Sequence, residues 1–384
     1  MTNARNQDSS EGLLLAIEVS EGVWRLAFTE QKGTRQKEVG AWEIESFRKE
    51  VGAARKRFGL GKTARVRSCY EAGRVGFSLH RFLEKEGIEN LVVDPASIEV
   101  NRRRKHNKTD RLDAEKLLRM LVRYHVYGEK KCWQVCRVPT PEQESERRLD
   151  REYERLKKEQ KGHVSRLRSL LALHGVRCAH LRELRPGSVR DWSGTLLAAP
   201  WQEEIGRELA RLRMANEQIR ELTGHMKEAI DSPQTHADQV AAQLHELRAI
   251  GRVGSTALSR QFFAWRQFQN RREVGAASGL ASCPYNSGSL DVDQGISKAG
   301  NRRIRTLAVE LSWLWLRYQP ASALSRWYNR RFGRGGAKRM KRIGIVALAR
   351  KLLVALWKYL EFGLVPEGAK LRRATGGVVA KAKA

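Results

Sequence analysis

The sequence predicts a mixed α/β N-terminal domain, a helical middle of coiled-coil character and a mainly α C-terminal domain. Three observations predict it. Short apolar runs alternate with helix-like segments over the first third, as in a sheet with helical crossovers. Two long stretches then repeat apolar residues in steps of four and three, as packed helices require. The last third, from about Leu247, is apolar and basic by turns.

Residues 13–19 and 23–29 read as two strands joined at Glu21-Gly22, a hairpin signal. Ser46 to Phe58 is a basic amphipathic helix, closed by Gly59 and Gly61, and a further strand is expected near Gly40 to Ile44. Ala64 to Tyr70 is a clear strand. Arg74 to Glu86 is a helix carrying Phe77, Leu79, Phe82 and Leu83, and Leu91 to Val93 is a short buried strand stopped by Asp94-Pro95. Thr109 is placed to cap a helix running to Tyr124.

Pro139 and Pro141 punctuate the chain, and the composition changes. Leu149, Tyr153, Leu156, Gln160, His163, Leu167, Leu170 and His174 form one seam. Ile205, Leu209, Leu212, Asn216, Ile219, Thr223, Met226 and Ile230 form another. Asn216 falls on a core position, where a buried Asn fixes register at a cost in stability. The two helices make either an intramolecular hairpin or an intermolecular arm. The expected boundaries are therefore 12–138 for the α/β domain, 139–245 for the coiled-coil region and 246–365 for the C-terminal domain. A disordered basic tail is expected over 366–384.

The chain carries 73 Lys+Arg against 43 Asp+Glu, a formal charge of +30. From Gly300 onward there are 20 Lys+Arg and 3 Asp+Glu, so over half of that charge lies in less than a quarter of the chain. Charge so concentrated marks a binding surface for polyanions, with nucleic acid ahead of a membrane surface. Arg330, Arg331, Lys338, Arg339, Lys341 and Arg342 are its densest run. No apolar run approaches the ~20 residues of a membrane span. The polar start, Met1 to Gly12, lacks the order of a signal peptide. Five widely spaced cysteines point to a reducing cytoplasm, and Cys132 with Cys136 lacks the second pair a structural zinc site needs.

Four acids stand out against this charge. Glu18 ends the run Leu13 to Ile17, and Glu71 follows the strand Val66 to Tyr70. Asp110 and Asp113 share a face near a helix start. Hard cations such as Mg²⁺ or Mn²⁺ take such carboxylates together with substrate phosphate. First-turn aspartates also stabilise helices, and an arginine could pair with Glu18, so the spacing leaves a structural role open.

Leu247 to Ala257 has the look of a helix-hairpin-helix, with its second helix starting at Ser255. An ordinary Gly-rich turn reads equally well. Gly279 to Gly288 leads into a polar loop containing Ser287, followed by Gly295 to Arg305. Lys298, Arg302, Arg303 and Arg305 are available there for phosphates, which a serine nucleophile needs around it, although a serine before glycine in a loop is by itself more simply a turn residue. Ser282, Ser289 and Ser297 are the local rivals of Ser287.

Together these residues resemble the IS-one-ten family of insertion-sequence transposases, over roughly residues 13–360. The run Lys108-Thr109-Asp110-Arg111-Leu112-Asp113-Ala114 is the most specific match, and Ile296-Ser297-Lys298-Ala299-Gly300-Asn301 resembles a second family stretch. The resemblance implies an RNase-H/RuvC-like N-terminal domain whose DEDD acids are Glu18, Glu71, Asp110 and Asp113. It also implies a coiled coil and a C-terminal transposase domain with Ser287 as nucleophile. Its first acid is usually Asp, and here it is Glu18. The implied activity is DNA strand exchange between element ends and target DNA, guided by a structured bridge RNA. The implied cofactor is Mg²⁺ or Mn²⁺, and the implied assembly is a homo-oligomer, dimer or tetramer, in a prokaryotic cytoplasm. Competing readings are a Holliday-junction-resolvase-like nuclease using the acids alone, and a non-catalytic nucleic-acid-binding protein.

Overall fold

The structure, a computed structural model, describes residues 12–30, 33–73, 76–98, 110–178, 180–287, 290–333 and 338–372. The chain divides at Pro139–Thr140 into two compact units.

The first unit holds β1 (Gly12–Val19), β2 (Val23–Thr29), β3 (Thr34–Gly40), α1 (Ile44–Arg57), β4 (Arg65–Glu71), α2 (Ser78–Lys85), β5 (Glu89–Val93) and α3 (Asp110–His125). The sheet order is β3-β2-β1-β4-β5. β1 to β3 form an antiparallel meander, while β4 and β5 run parallel to β1, as helical crossovers require. Covering on both faces explains why Leu13 to Ile17 is an unbroken apolar run. Leu13, Leu15 and Ile17 pack with Phe47, Val51, Leu79 and Leu83 of α1 and α2. Leu14 and Ala16 point the other way, onto Ala114, Leu117 and Leu121 of α3.

One strand lies elsewhere than expected. The strand placed near Gly40 to Ile44 is β3, upstream, and α1 already begins at Ile44. Thr34 to Gly40 hides from a pattern search because Val39 is its only buried side chain. Its polar residues find partners instead: Arg35 pairs with Glu50, and Gln36 donates to Glu115 Oε1 at 2.6 Å. The predicted cap Thr109 lies outside the described residues.

The second unit begins with α4 (Pro141–Leu173) and α5 (Ala199–Asp231). Thr140 and Gln143 form a capping box with Pro141 in the first turn, so the proline punctuation is a helix start. α4 and α5 pack antiparallel, which closes both seams within one chain: Leu167 and Leu171 meet Ile205, Leu209 and Leu212. The polar seam residues also meet, Gln160 with Asn216 and His163 with Glu208. Burial alone would raise the Glu208 carboxyl, but His163, Arg166 and Arg211 hold it down to about 2.

After α5 come α6 (His236–Glu246), α7 (Arg252–Leu258), a π-helical turn Ser259–Phe263, and α8 (Arg271–Ala277). The strands β6 (Ser282–Ser287) and β7 (Leu290–Ile296) follow, then α9 (Arg302–Tyr318), α10 (Ala323–Tyr328) and α11 (Lys338–Phe362). The core gathers Leu244, Phe262, Leu311, Trp315, Leu352 and Leu356. The helix after the Gly251 turn starts at Arg252 rather than Ser255. Gly254 therefore lies inside α7, where an added Cβ would stand 3.2 Å from Leu311 of α9. Residues 366–372, expected to belong to the tail, are ordered. Lys370 N donates to Gln319 Oε1 at 2.8 Å and Arg372 Nε to His245 O at 2.7 Å, so residues through Arg372 are tied to the core. No described helix is long and apolar enough to cross a membrane.

Candidate functional site

Sheet register sets the first group of acids. The last registered pair of the parallel strands β1 and β4 is Ile17 with Tyr70. Glu18 and Glu71 are the next step on each, about 4.8 Å apart in backbone spacing and on the same face. That face carries Leu14, Ala16 and Cys69, so it is the one α3 covers. Glu18 is half-buried, with Oε2 shielded from solvent, and Glu71 is exposed.

The direction of α3 brings the aspartates to the same end. His125, the last residue of α3, is held down to about 4 by burial and then by the charge of Arg67 on β4. Two turns back, Leu117 O accepts from Cys69 Sγ at 3.9 Å. One further turn toward the helix start is Asp113, half-buried, on the Glu71 side. Asp110 is the first residue of α3. Fold and register thus direct Glu18, Glu71 and the first turn of α3 to one sheet end. Among the described residues, no three acid, histidine or cysteine side chains form a group that could hold a metal.

Ser287 is the last residue of β6 and pairs with Leu290 of β7. The expected polar loop is therefore a β-hairpin whose connection, Gly288-Ser289, lies outside the described residues. The missed signal was the alternation of Leu290 and Val292 with Asp291 and Asp293, after a Gly-Ser dipeptide suited to a two-residue turn. The stretch 295–305 then builds the start of α9. Asn301 caps it by accepting from Arg303 N and Ile304 N. Gly300, at φ +105°, is packed so closely that a Cβ would lie 2.6 Å from Ala277 O.

The cations proposed for phosphate contact divide. Arg305 Nη1 donates to Ser278 O and Lys298 O, and Arg303 pairs with Glu154 at 3.1 Å. Arg302 and Lys298 are exposed, as are Arg330, Arg331, Lys338 and Lys341. Lys298, Arg339 and Arg342 line a groove of about 960 Å³ between the β6–β7 hairpin, α8 and α11. Sequence reasoning missed Arg350, Lys351 and Lys358 of α11, and Arg271 and Arg272 of α8, which line it too. On α11 the arginines fall at 339, 342 and 350, in steps of three and eight that keep one side of a helix.

Residues 241–328, from α6 through α10, match the family described as Transposase IS116/IS110/IS902 family. The chain is 43% identical over 318 residues to "Putative transposase y4rJ" of Sinorhizobium fredii, covering 79% of this chain and 78% of that protein. It is 28% identical over 292 residues to "Putative transposase y4qE" of the same organism, covering 74% and 67%. A "Transposase for insertion sequence element IS1328" of Yersinia enterocolitica is 27% identical over 152 residues, 39% of this chain and 42% of that protein. The chain is thus similar to transposases over most of its length. The chain belongs to the IS116/IS110/IS902 family of insertion-sequence transposases.

Proposed function

We propose that this transposase exchanges DNA strands between the ends of its element and a target, with an RuvC-like N-terminal domain and a serine in the C-terminal unit. The observation that carries the reading is the convergence of Glu18, Glu71 and the start of α3 on one end of a mixed sheet. Acids at that end of a chain of charge +30 have no obvious role in solubility, whereas they suit a hard divalent cation. Glu18, Glu71, Asp110 and Asp113 would hold Mg²⁺ or Mn²⁺, which when bound polarises a phosphate oxygen. The donor set is all oxygen, the chemistry a hard cation takes.

Ser287 is the residue we assign to the covalent step. A bond forms from its oxygen to a DNA phosphorus, and the bond from that phosphorus to a sugar oxygen breaks. The proton lost by serine is matched by one gained at the released sugar hydroxyl. One phosphodiester replaces another, so attack by an incoming strand's hydroxyl reverses the step. The exposed cations of the C-terminal unit would hold the DNA and a structured guide RNA by their backbones, leaving target choice to base pairing. Homo-oligomerisation would bring acids and serine of different copies to one DNA.

Trapping on a nicked DNA substrate tests this. After digestion, a nucleotide-modified peptide should contain Ser287. An adduct on Ser282, Ser289 or Ser297 would move the assignment. Normal turnover by Ser287→Ala with no adduct would leave the acids alone, as in a resolvase.

A further inference from the structure

We propose that the groove between α8, the β6–β7 hairpin and α11 takes an unpaired nucleic-acid strand rather than a duplex. The inference rests on the nucleic-acid reading above and names the form of the ligand. Three features of the groove carry it.

The first is charge. Arg339, Arg342, Arg350, Lys351 and Lys358 come from α11, with Arg271, Arg272 and Lys298 facing them, and no carboxylate lines the groove. None of the eight forms an ion pair among the described residues; Lys351 lies over the Trp327 ring at 4.7 Å. Cations gathered without acids leave their field directed at a ligand.

The second is the floor. Leu280, Ile296, Ile343, Val346 and Val354 line the space between the cations. Ile343 is 49% exposed and adds apolar surface between the cations. A duplex hides its base faces and presents phosphates and sugars, so it would leave this floor against water or charge. An unpaired strand presents both kinds of surface: bases for the floor and phosphates for the rim.

The third is position. β6 and β7, which form one wall through Ser282, Gln294 and Gly295, are the strands whose far end carries Ser287. A strand lying in the groove runs along the hairpin assigned to the covalent step. Strand exchange requires stretches that have left one duplex and not yet joined another, and this groove suits such a stretch. An acidic amphipathic peptide is the competing occupant.

The test uses full-length protein and fluorescence anisotropy. The probes are a short labelled oligothymidylate, an oligouridylate of equal length and a blunt duplex. One variant combines R339Q, R342Q and K358Q, all three exposed positions. A second, Ala347→Glu, sets a carboxylate on the groove wall. Thermal unfolding checks that both remain folded. Each should weaken single-strand binding about tenfold or more and duplex binding far less. The triple variant should also flatten the single-strand salt slope by about 2, from three lost phosphate contacts. Loss on the DNA probe alone, the RNA probe alone, or both supports the groove and identifies which strand it takes. Equal losses for duplex and single strand would overturn the inference, as would unchanged single-strand binding in both variants. So would loss of an acidic amphipathic peptide with oligonucleotide binding intact. If wild type binds duplex and only the groove variants fail to behave as expected, the inference falls alone. If wild type binds no nucleic acid, the reading beneath it falls too.

Discussion

In the first unit the acids stand at strand ends, one step beyond a fully buried run. In the second, the bases stand along α11, whose other side forms the core with Leu348, Leu352 and Leu356. The two placements teach different things about building a charged site. A strand end sets a few side chains at fixed spacing and one facing, which a cation needs. A helix side sets many charges along about 1.5 Å per residue of rise, which an extended polyanion needs. The acids are few and set at strand and helix ends, the bases many and distributed. Loss of one acid should therefore cost far more than loss of one base.

The sharpest way to break that contrast is Asp113→Asn. Strand exchange should fall by roughly a hundredfold or more, as when a charge-stabilising group is removed from a reacting centre. Nucleic-acid binding measured by anisotropy should stay near wild type. Retained exchange would remove Asp113 from the acidic site.

A second prediction concerns ions that serve structure alone. Arg260 Nη2 donates to Asp238 Oδ1 at 3.0 Å, with both side chains buried. Asp238→Asn keeps an oxygen to accept at the α6 cap but takes away the charged partner that Arg260 hydrogen-bonds, leaving only the Asp150 carboxylate nearby. It should lower stability by about 3 kcal/mol, read from the shift in denaturant midpoint. A change below about 0.5 kcal/mol would show that Asp150 satisfies Arg260 by itself.

Asp150 itself supplies a pH signature. Burial pushes its carboxyl up to about 6, against the pull of Arg260 and contacts to Gln261 and Thr256. The folded state therefore binds a proton more readily than the unfolded state. This group's contribution should make the fold more stable as pH falls from about 6 toward 3.8. In Asp150→Asn that rise should be missing when melting temperature is followed across the window.

The smallest effect is expected at Arg330 and Arg331, which are exposed but outside the groove. Changing both to Gln should flatten the duplex salt slope by no more than about 2, and the loss should not favour single strands over duplex. A selective single-strand loss there would place the strand's path over the Asn329–Gly333 turn instead.

Much of this was legible before the fold was known, for identifiable reasons. The buried run Leu13 to Ile17 announces a central strand because covering on both faces requires apolar side chains at every position. The seams around Leu209 and Leu167 announce packed helices because 3.6 residues per turn returns side chains to one line. β3 was displaced because its stability comes from pairing with β2 and from Arg35–Glu50, neither of which leaves an apolar pattern. The β6–β7 hairpin was hidden because the residues before Ser287 look like loop composition and the alternation begins only at Leu290.

The sequence by itself determined which residues could do chemistry. Glu18, Glu71, Asp110, Asp113 and the serines near Gly288 are recognisable from type and local context, since an acid after an apolar run or a serine in a basic stretch is a local property. Only the tertiary structure decided their company. Parallel register puts Glu18 beside Glu71 although fifty-two residues lie between them, and the direction of α3 turns Asp113 to the same end. The same packing commits Arg303 to Glu154 and Arg305 to backbone carbonyls, while joining Arg271 and Arg272 to α11 across one groove. Charges on one chain act on a ligand through their separation in space, and that separation is set by which faces the core buries.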